Sequence, residues 1–191
     1  MKPAHQGAFD GLCGLYAIVN AVERVGIIGR RSAFHRSLFV RLAKGISAED
    51  MHRVIETGSD AGELAVVARR AFRTVLRDYD IKLSISRPFM RRKMTELPEF
   101  LTWLDAIASD RRHAVIVNVV MPWVDHWTVL DRRNGQYLLV RDSNSLRSID
   151  LARFRLRGGS YRIRIQQTLV IERRGGPDRI RAEDIVKPNR S

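Results

Sequence analysis

The chain has 191 residues, of which 34 are Lys or Arg and 21 Asp or Glu, for a formal charge of +13, and 45% are hydrophobic. That length suits one packed domain, and the apolar content argues against wholesale disorder. The longest apolar runs, such as Ala114 to Val117 and Val119 to Met121, fall far below the ~20 residues that a membrane-spanning helix needs.

In chain order, the first half has helical spacing. Leu12, Leu15, Tyr16, Ile18, Val19, Val22 and Val25 recur every three to four residues and Gly26 follows as a stop, which predicts a buried helix over residues 12 to 25. Ser32 is placed to cap a second helix carrying Phe34, Leu38, Phe39 and Leu42 and ending at Gly45, and Ser47 a short third one. Asp60 with Glu63 forms a capping-box opening for a fourth, through Leu64, Val67, Ala68, Ala71 and Phe72. Asp80 to Ser86 reads as extended up to Pro88, and Thr95 introduces a helix holding Phe100, Leu101, Trp103, Leu104 and Ile107.

The second half changes period. His113 to Met121, His126 to Asp131 and Gln136 to Asp142 read as strands, the last two joined at Asn134-Gly135, with a further strand from Ser160 to Ile171. Arg162 and Arg164 alternate with Tyr161, Ile163 and Ile165, so this strand should bury one face and show arginine on the other. Residues 173–191 are polar and broken by Gly and Pro, and are expected to form a basic flexible tail after a domain over 1–172. Helices first and antiparallel strands afterwards define an α+β domain with two lobes.

The only cysteine, Cys13, cannot form an internal disulfide. Unpaired cysteines are usually small buried hydrophobes. Here, however, Cys13 follows the turn signal Asp10-Gly11 and sits where a helix begins, so backbone amides and the helix dipole would favour a thiolate. Gln6 lies just upstream with an amide to donate; His126 opens a late strand, and Asp142 closes the next. A cysteine hydrolase needs these types: a thiolate to attack a carbonyl, an imidazole to carry the proton, an acid to orient the imidazole and an amide to hold the oxyanion.

Gln6, then Asp10-Gly11-Leu12-Cys13-Gly14, then His126-Trp127 and Asp142-Ser143, resemble the papain-like cysteine peptidase superfamily. Within it the compact layout looks most like bacterial peptidases that process double-glycine leader peptides. The resemblance spans residues 6 to about 165. It implies a papain-like fold, a helical lobe packed on an antiparallel sheet lobe, with Cys13 as nucleophile, His126 as general base and acid, Asp142 as orienting acid, and Gln6 with the Cys13 amide as oxyanion hole. It also implies that Trp127 or Trp123 shields the His–acid bond, with plain core packing as the alternative. Deamidases, acyltransferases and inactive members share the superfamily, so a deamidase or acyltransferase, or a catalytically idle basic binding module, stands beside the peptidase reading.

The hairpin sets a geometric condition. A two-residue Asn134-Gly135 loop would put Ser143 opposite His126, whereas a three-residue loop, Arg133-Asn134-Gly135 with Gly135 left-handed, would put Asp142 there. The triad requires the second register. Asp131 and Asn144 are fallback orienting groups, Asp131 being on the other face of its strand. His35 and His52 are expected on helix surfaces or at caps, and His113 in solvent.

No cofactor is called for, and one cysteine without a close histidine pair argues against structural zinc. The basic residues are scattered rather than blocked, which reads first as a solvated basic surface; a protein or peptide substrate of acidic character is the expected partner, with nucleic acid a secondary candidate. Gly158-Gly159 after Arg153 to Arg157, and Gly175-Gly176, read as turns and linkers, with self-cleavage after Gly176 the sharper alternative. His5, Gln6 and Asp10 interrupt any export-signal core, so the expectation is a cytoplasmic protein, or an effector delivered without such a signal.

Overall fold

The computed structural model describes residues 11–28, 32–91, 94–177 and 179–181. The order is α1 (Cys13–Arg24), β1 (Ile27–Ile28), α2 (Ala33–Lys44), α3 (Ala48–Thr57), α4 (Ala61–Tyr79), β2 (Lys82–Ser86) and α5 (Leu97–Ala108). Then come β3 (His113–Met121), β4 (Val124–Asn134), β5 (Tyr137–Arg141), β6 (Ser148–Asp150), β7 (Arg162–Arg174) and β8 (Ile180–Arg181). The class is α+β.

Six strands form one antiparallel sheet in the order β2-β7-β3-β4-β5-β6. Its core is double. Ala114, Ile116, Trp127, Val129, Leu169 and Ile171 pack with α1, α2 and α4, while Val115, Val117, Val119, Leu138, Ile163 and Ile165 pack with Phe100 and Leu104 of α5. A sheet covered on both faces explains why β3 is apolar almost without interruption. It also departs from two simple lobes: β2 leaves the helical half to become an edge strand, and α5 covers the face opposite α1.

Local chemistry accounts for most boundaries. Ser32 accepts from the His35 amide, Ser47 from that of Asp50, and Asp60 with Glu63 completes a reciprocal capping box. Gly26, at φ 96°, ends α1 in a left-handed conformation closed to most side chains. Thr95 does not cap α5, which starts at Leu97 with Pro98 in its first turn; proline there has its φ preset and no N–H to satisfy.

The expected end of the last strand is also revised. β7 runs through Arg174, and Ile180 and Arg181 pair in parallel with Ile27 and Ile28, so these residues beyond Arg173 are held against the domain. Arg173, 2% exposed, donates through Nε to Val25 O (2.7 Å), and through its Nη atoms to Gly175 O (3.0 Å) and Pro177 O (2.6 Å). Along β7 the expected alternation is present, with Ile163 and Ile165 buried and Arg164 paired to Asp125 at 2.7 Å. Among the described residues, no helix is long and apolar enough to cross a membrane.

Candidate active site

Cys13 is the first residue of α1, and two glycines fix where it stands. Gly11 donates to Ile55 O (2.8 Å) at the end of α3; a Cβ on it would meet Val54 O at 2.4 Å and Ile55 O at 2.7 Å, so no side chain fits. Gly14 lets α1 approach the Leu64 side chain of α4. No side chain caps α1 among the described residues, and its start is set by Leu15 and Tyr16 amides turning back to Leu12 O. The Cys13 backbone amide therefore belongs to a helix N-terminus suited to negative charge.

α1 runs along β4. Eleven helical steps from Cys13 to Arg24 cover about 16 Å, and five strand steps from His126 to Asp131 cover about the same. The far ends are joined by Arg24, whose Nε lies 3.3 Å from Asp131 Oδ1 and whose Nη2 donates to Ala108 O at 3.1 Å. At the near end the Cys13 sulfur interacts with the His126 ring.

The ring is held by Asp142. His126 Nε2 and Asp142 Oδ2 are 2.6 Å apart, with side chains 4% and 0% exposed. With Nε2 so engaged, Nδ1 is the nitrogen left to serve the thiol. The carboxylate is fixed in turn: Asp142 Oδ1 accepts from the amides of Asn144 (2.6 Å) and Leu146 (3.2 Å).

The ionisation of the pair follows from these contacts. Burial lowers the His126 pKa, but the hydrogen bond to Asp142, the interaction with Cys13 and the charges of both outweigh it and raise the pKa from 6.5 to about 9. Burial raises the Asp142 pKa, yet the His126 hydrogen bond and charge, the Asn144 amide and the Thr128 hydroxyl bring it below the ordinary carboxylate range. Both shifts favour the charged forms of the pair.

The hairpin takes neither expected register: the three-residue loop and the direct His126–Asp142 pairing are both absent, and the acid reaches the ring by another route. Asn134 pairs with Tyr137, leaving Gly135-Gln136 as a two-residue loop with Gly135 at φ 57°, as in a II′ turn. Carried along both strands, that register would put Val129 across from Asp142 and turn the acid away from His126. Instead, Arg132 pairs with Leu139 and Leu130 with Val140, so Asp131 is an extra residue in β4. This bulge restores the parity. Thr128 then lies across from Asp142, and the acid reaches His126 along the diagonal.

Of the four residues singled out from sequence, the structure brings His126 and Asp142 together, and Cys13 interacts with the same ring. Gln6 lies outside the described residues. Trp127 is core, its indole donating to Ser59 O (3.0 Å), while Trp123 is 71% exposed and beside Tyr161, so it shields nothing at the site. His35 is buried beside its cap, rather than on the surface, and His113 bonds Asp110 at 3.0 Å. Asp131 serves the helix clamp. Pattern reading missed Thr128, which looks like one more β-branched strand residue, and the close approach that demands Gly11. No family model and no curated protein matches the chain.

Proposed function

We propose that this protein is a papain-like thiol hydrolase acting on peptide or side-chain amides, most simply a peptidase, with Cys13 as nucleophile. The observation that carries the reading is the buried 2.6 Å His126–Asp142 bond, in which the same ring also interacts with the Cys13 sulfur. A buried, charged imidazole at the start of a helix that carries a thiol is costly to assemble for packing alone.

In the proposed reaction the Cys13 sulfur attacks the amide carbonyl, a C–S bond forms, and the oxygen takes the negative charge near the Cys13 backbone amide. His126 gives its Nδ1 proton to the leaving nitrogen as the C–N bond breaks, which leaves a thioester and a neutral imidazole. The imidazole then takes a proton from water as the hydroxide adds to the thioester, and Cys13 is released with a carboxylic acid product. Asp142 keeps the ring oriented and stabilises its charged form. Gln6 is the proposed second oxyanion donor. A reducing cytosol suits the free thiol, and the basic surface suits an acidic peptide.

Incubation of wild type and Cys13→Ala with peptide libraries, read by mass, tests this. Cys13-dependent loss of a peptide segment supports a peptidase, a gain of about one mass unit a deamidase, and transfer to an added amine an acyltransferase. Identical behaviour of the two proteins, together with no alkylation of native Cys13 by iodoacetamide below pH ~8.5, rejects the hydrolase.

A further inference from the structure

A cleft of about 270 Å³ is bordered by Ser59, Asn118, Trp127, Gln167, Arg53 and Arg164. Two of its lining residues are chain or packing neighbours of the candidate site. Trp127 follows His126 in β4, and Gly58, also on the border, packs on Gly11 beside Cys13. The cleft opens where β3 and β7 lose register: Ile116 pairs with Leu169 but Asn118 with Arg164, so four residues of β7 bow out against one of β3.

Asn118 is the unexplained group. Its side chain is 5% exposed, and Oδ1 is buried without a hydrogen-bond partner among the described residues. A buried acceptor left unpaired costs about 1–3 kcal/mol, and such a group bordering a cleft points to a ligand donor. Gln167 supplies the opposite polarity. Its Oε1 accepts from the Ala61 amide at 2.7 Å, which fixes the amide's orientation and leaves Nε2 to donate.

The charges around the cleft are already committed. Arg53 is bonded to Glu63, Arg164 is 2.7 Å from Asp125, and Asp60 caps α4. The groups that remain include the Asn118 acceptor, the Gln167 donor and the flat Trp127 indole, which together complement a neutral primary carboxamide rather than a carboxylate or an ammonium group. At this volume the cleft takes one side chain, being below the ~300 Å³ at which small-molecule pockets begin.

We propose that this cleft is a specificity pocket for a glutamine or asparagine side chain close to the bond cleaved. Naming it a substrate pocket rests on the hydrolase reading; that the pocket binds a carboxamide does not. The pocket is therefore tested without catalysis, in Cys13→Ala, by NMR titration of the Trp127 indole N–H with acetyl-glutamine methylamide, and with the glutamate and leucine analogues. The expected result is a saturable shift with the glutamine compound at least about tenfold tighter than with the other two.

Asn118→Ala should abolish that preference, and Gln167→Glu, which keeps the acceptor for Ala61 but removes the donor, should weaken it similarly. Equal affinity for the three compounds, no shift with any of them, or a preference that survives both substitutions overturns the pocket. Peptidyl chloromethyl ketones bearing glutamine, glutamate or leucine then give the second readout, the alkylation rate of Cys13 in the wild type. If glutamine binds as expected but no electrophile alkylates native Cys13, the hydrolase reading fails while the pocket stands.

Discussion

At the scale of single residues, the behaviour of His126 governs what can be measured. Folding raises its pKa from 6.5 to about 9, so its contribution to stability is complete below pH 6.5 and is lost as the pH climbs through 9. A shift of that size corresponds to roughly 3 kcal/mol. Urea unfolding of the wild type should therefore show stability falling between these two pH values. Asp142→Asn, which keeps the shape and removes the charge, should flatten that fall, with the His126 ring titrating at lower pH by NMR. The same substitution should lower any Cys13-dependent turnover by about 10²-fold or more, since a mis-oriented ring cannot relay the proton. Asp142 adds the opposite slope: its depressed pKa stabilises the fold at neutral pH, an effect lost as the pH falls through the acid range.

At the scale of elements, the bulge at Asp131 joins two tasks. It turns Asp142 to the side of His126, and it presents the carboxylate that holds Arg24 at the far end of α1. Deleting Asp131 should close the hairpin in a regular ladder with Thr128 still across from Asp142, so that the His126 NMR titration holds while the Arg24 clamp is lost. Arg24→Met, by contrast, leaves the bulge in place and removes the clamp; a loss of about 2 kcal/mol in unfolding free energy is expected. The two glycines near Cys13 should also separate. Gly11→Ala drives a methyl into backbone oxygens and should displace Cys13, slowing its alkylation. In Gly14→Ala the obstacle is the movable Leu64 side chain, and a gain in helix propensity of about 1 kcal/mol offsets part of the cost.

At the scale of the molecule, the chain's two halves are tied together by a buried cation. Arg173 holds Val25 O at the end of α1 and two carbonyls of the segment that leads to β8, while β8 pairs with β1. Arg173→Leu would strand three carbonyls, and an unfolding loss of about 3 kcal/mol or more is expected. Hydrogen exchange should show β1 and β8 opening first. Self-cleavage after Gly176 is not helped by a mobile segment, because Gly175 O and Gly176 O are both held by arginines.

Much of this was legible in sequence, because the signals are local. Helix caps at Ser32, Ser47 and Asp60, the stop at Gly26 and the strand periods depend on neighbours a few residues away, and they name the α+β class. The residue types that make a thiol chemistry conceivable, Cys13 at a helix start and His126 and Asp142 on successive strands, are likewise visible in the sequence. Only the tertiary structure decided how the acid comes to face the ring, since a single inserted residue inverts the parity of a strand and no local propensity announces where it goes. The same holds for the seat of Gly11, the grip of Arg173 on Val25 O and the Asn118 oxygen left unpaired among the described residues: each involves atoms more than forty positions away along the chain.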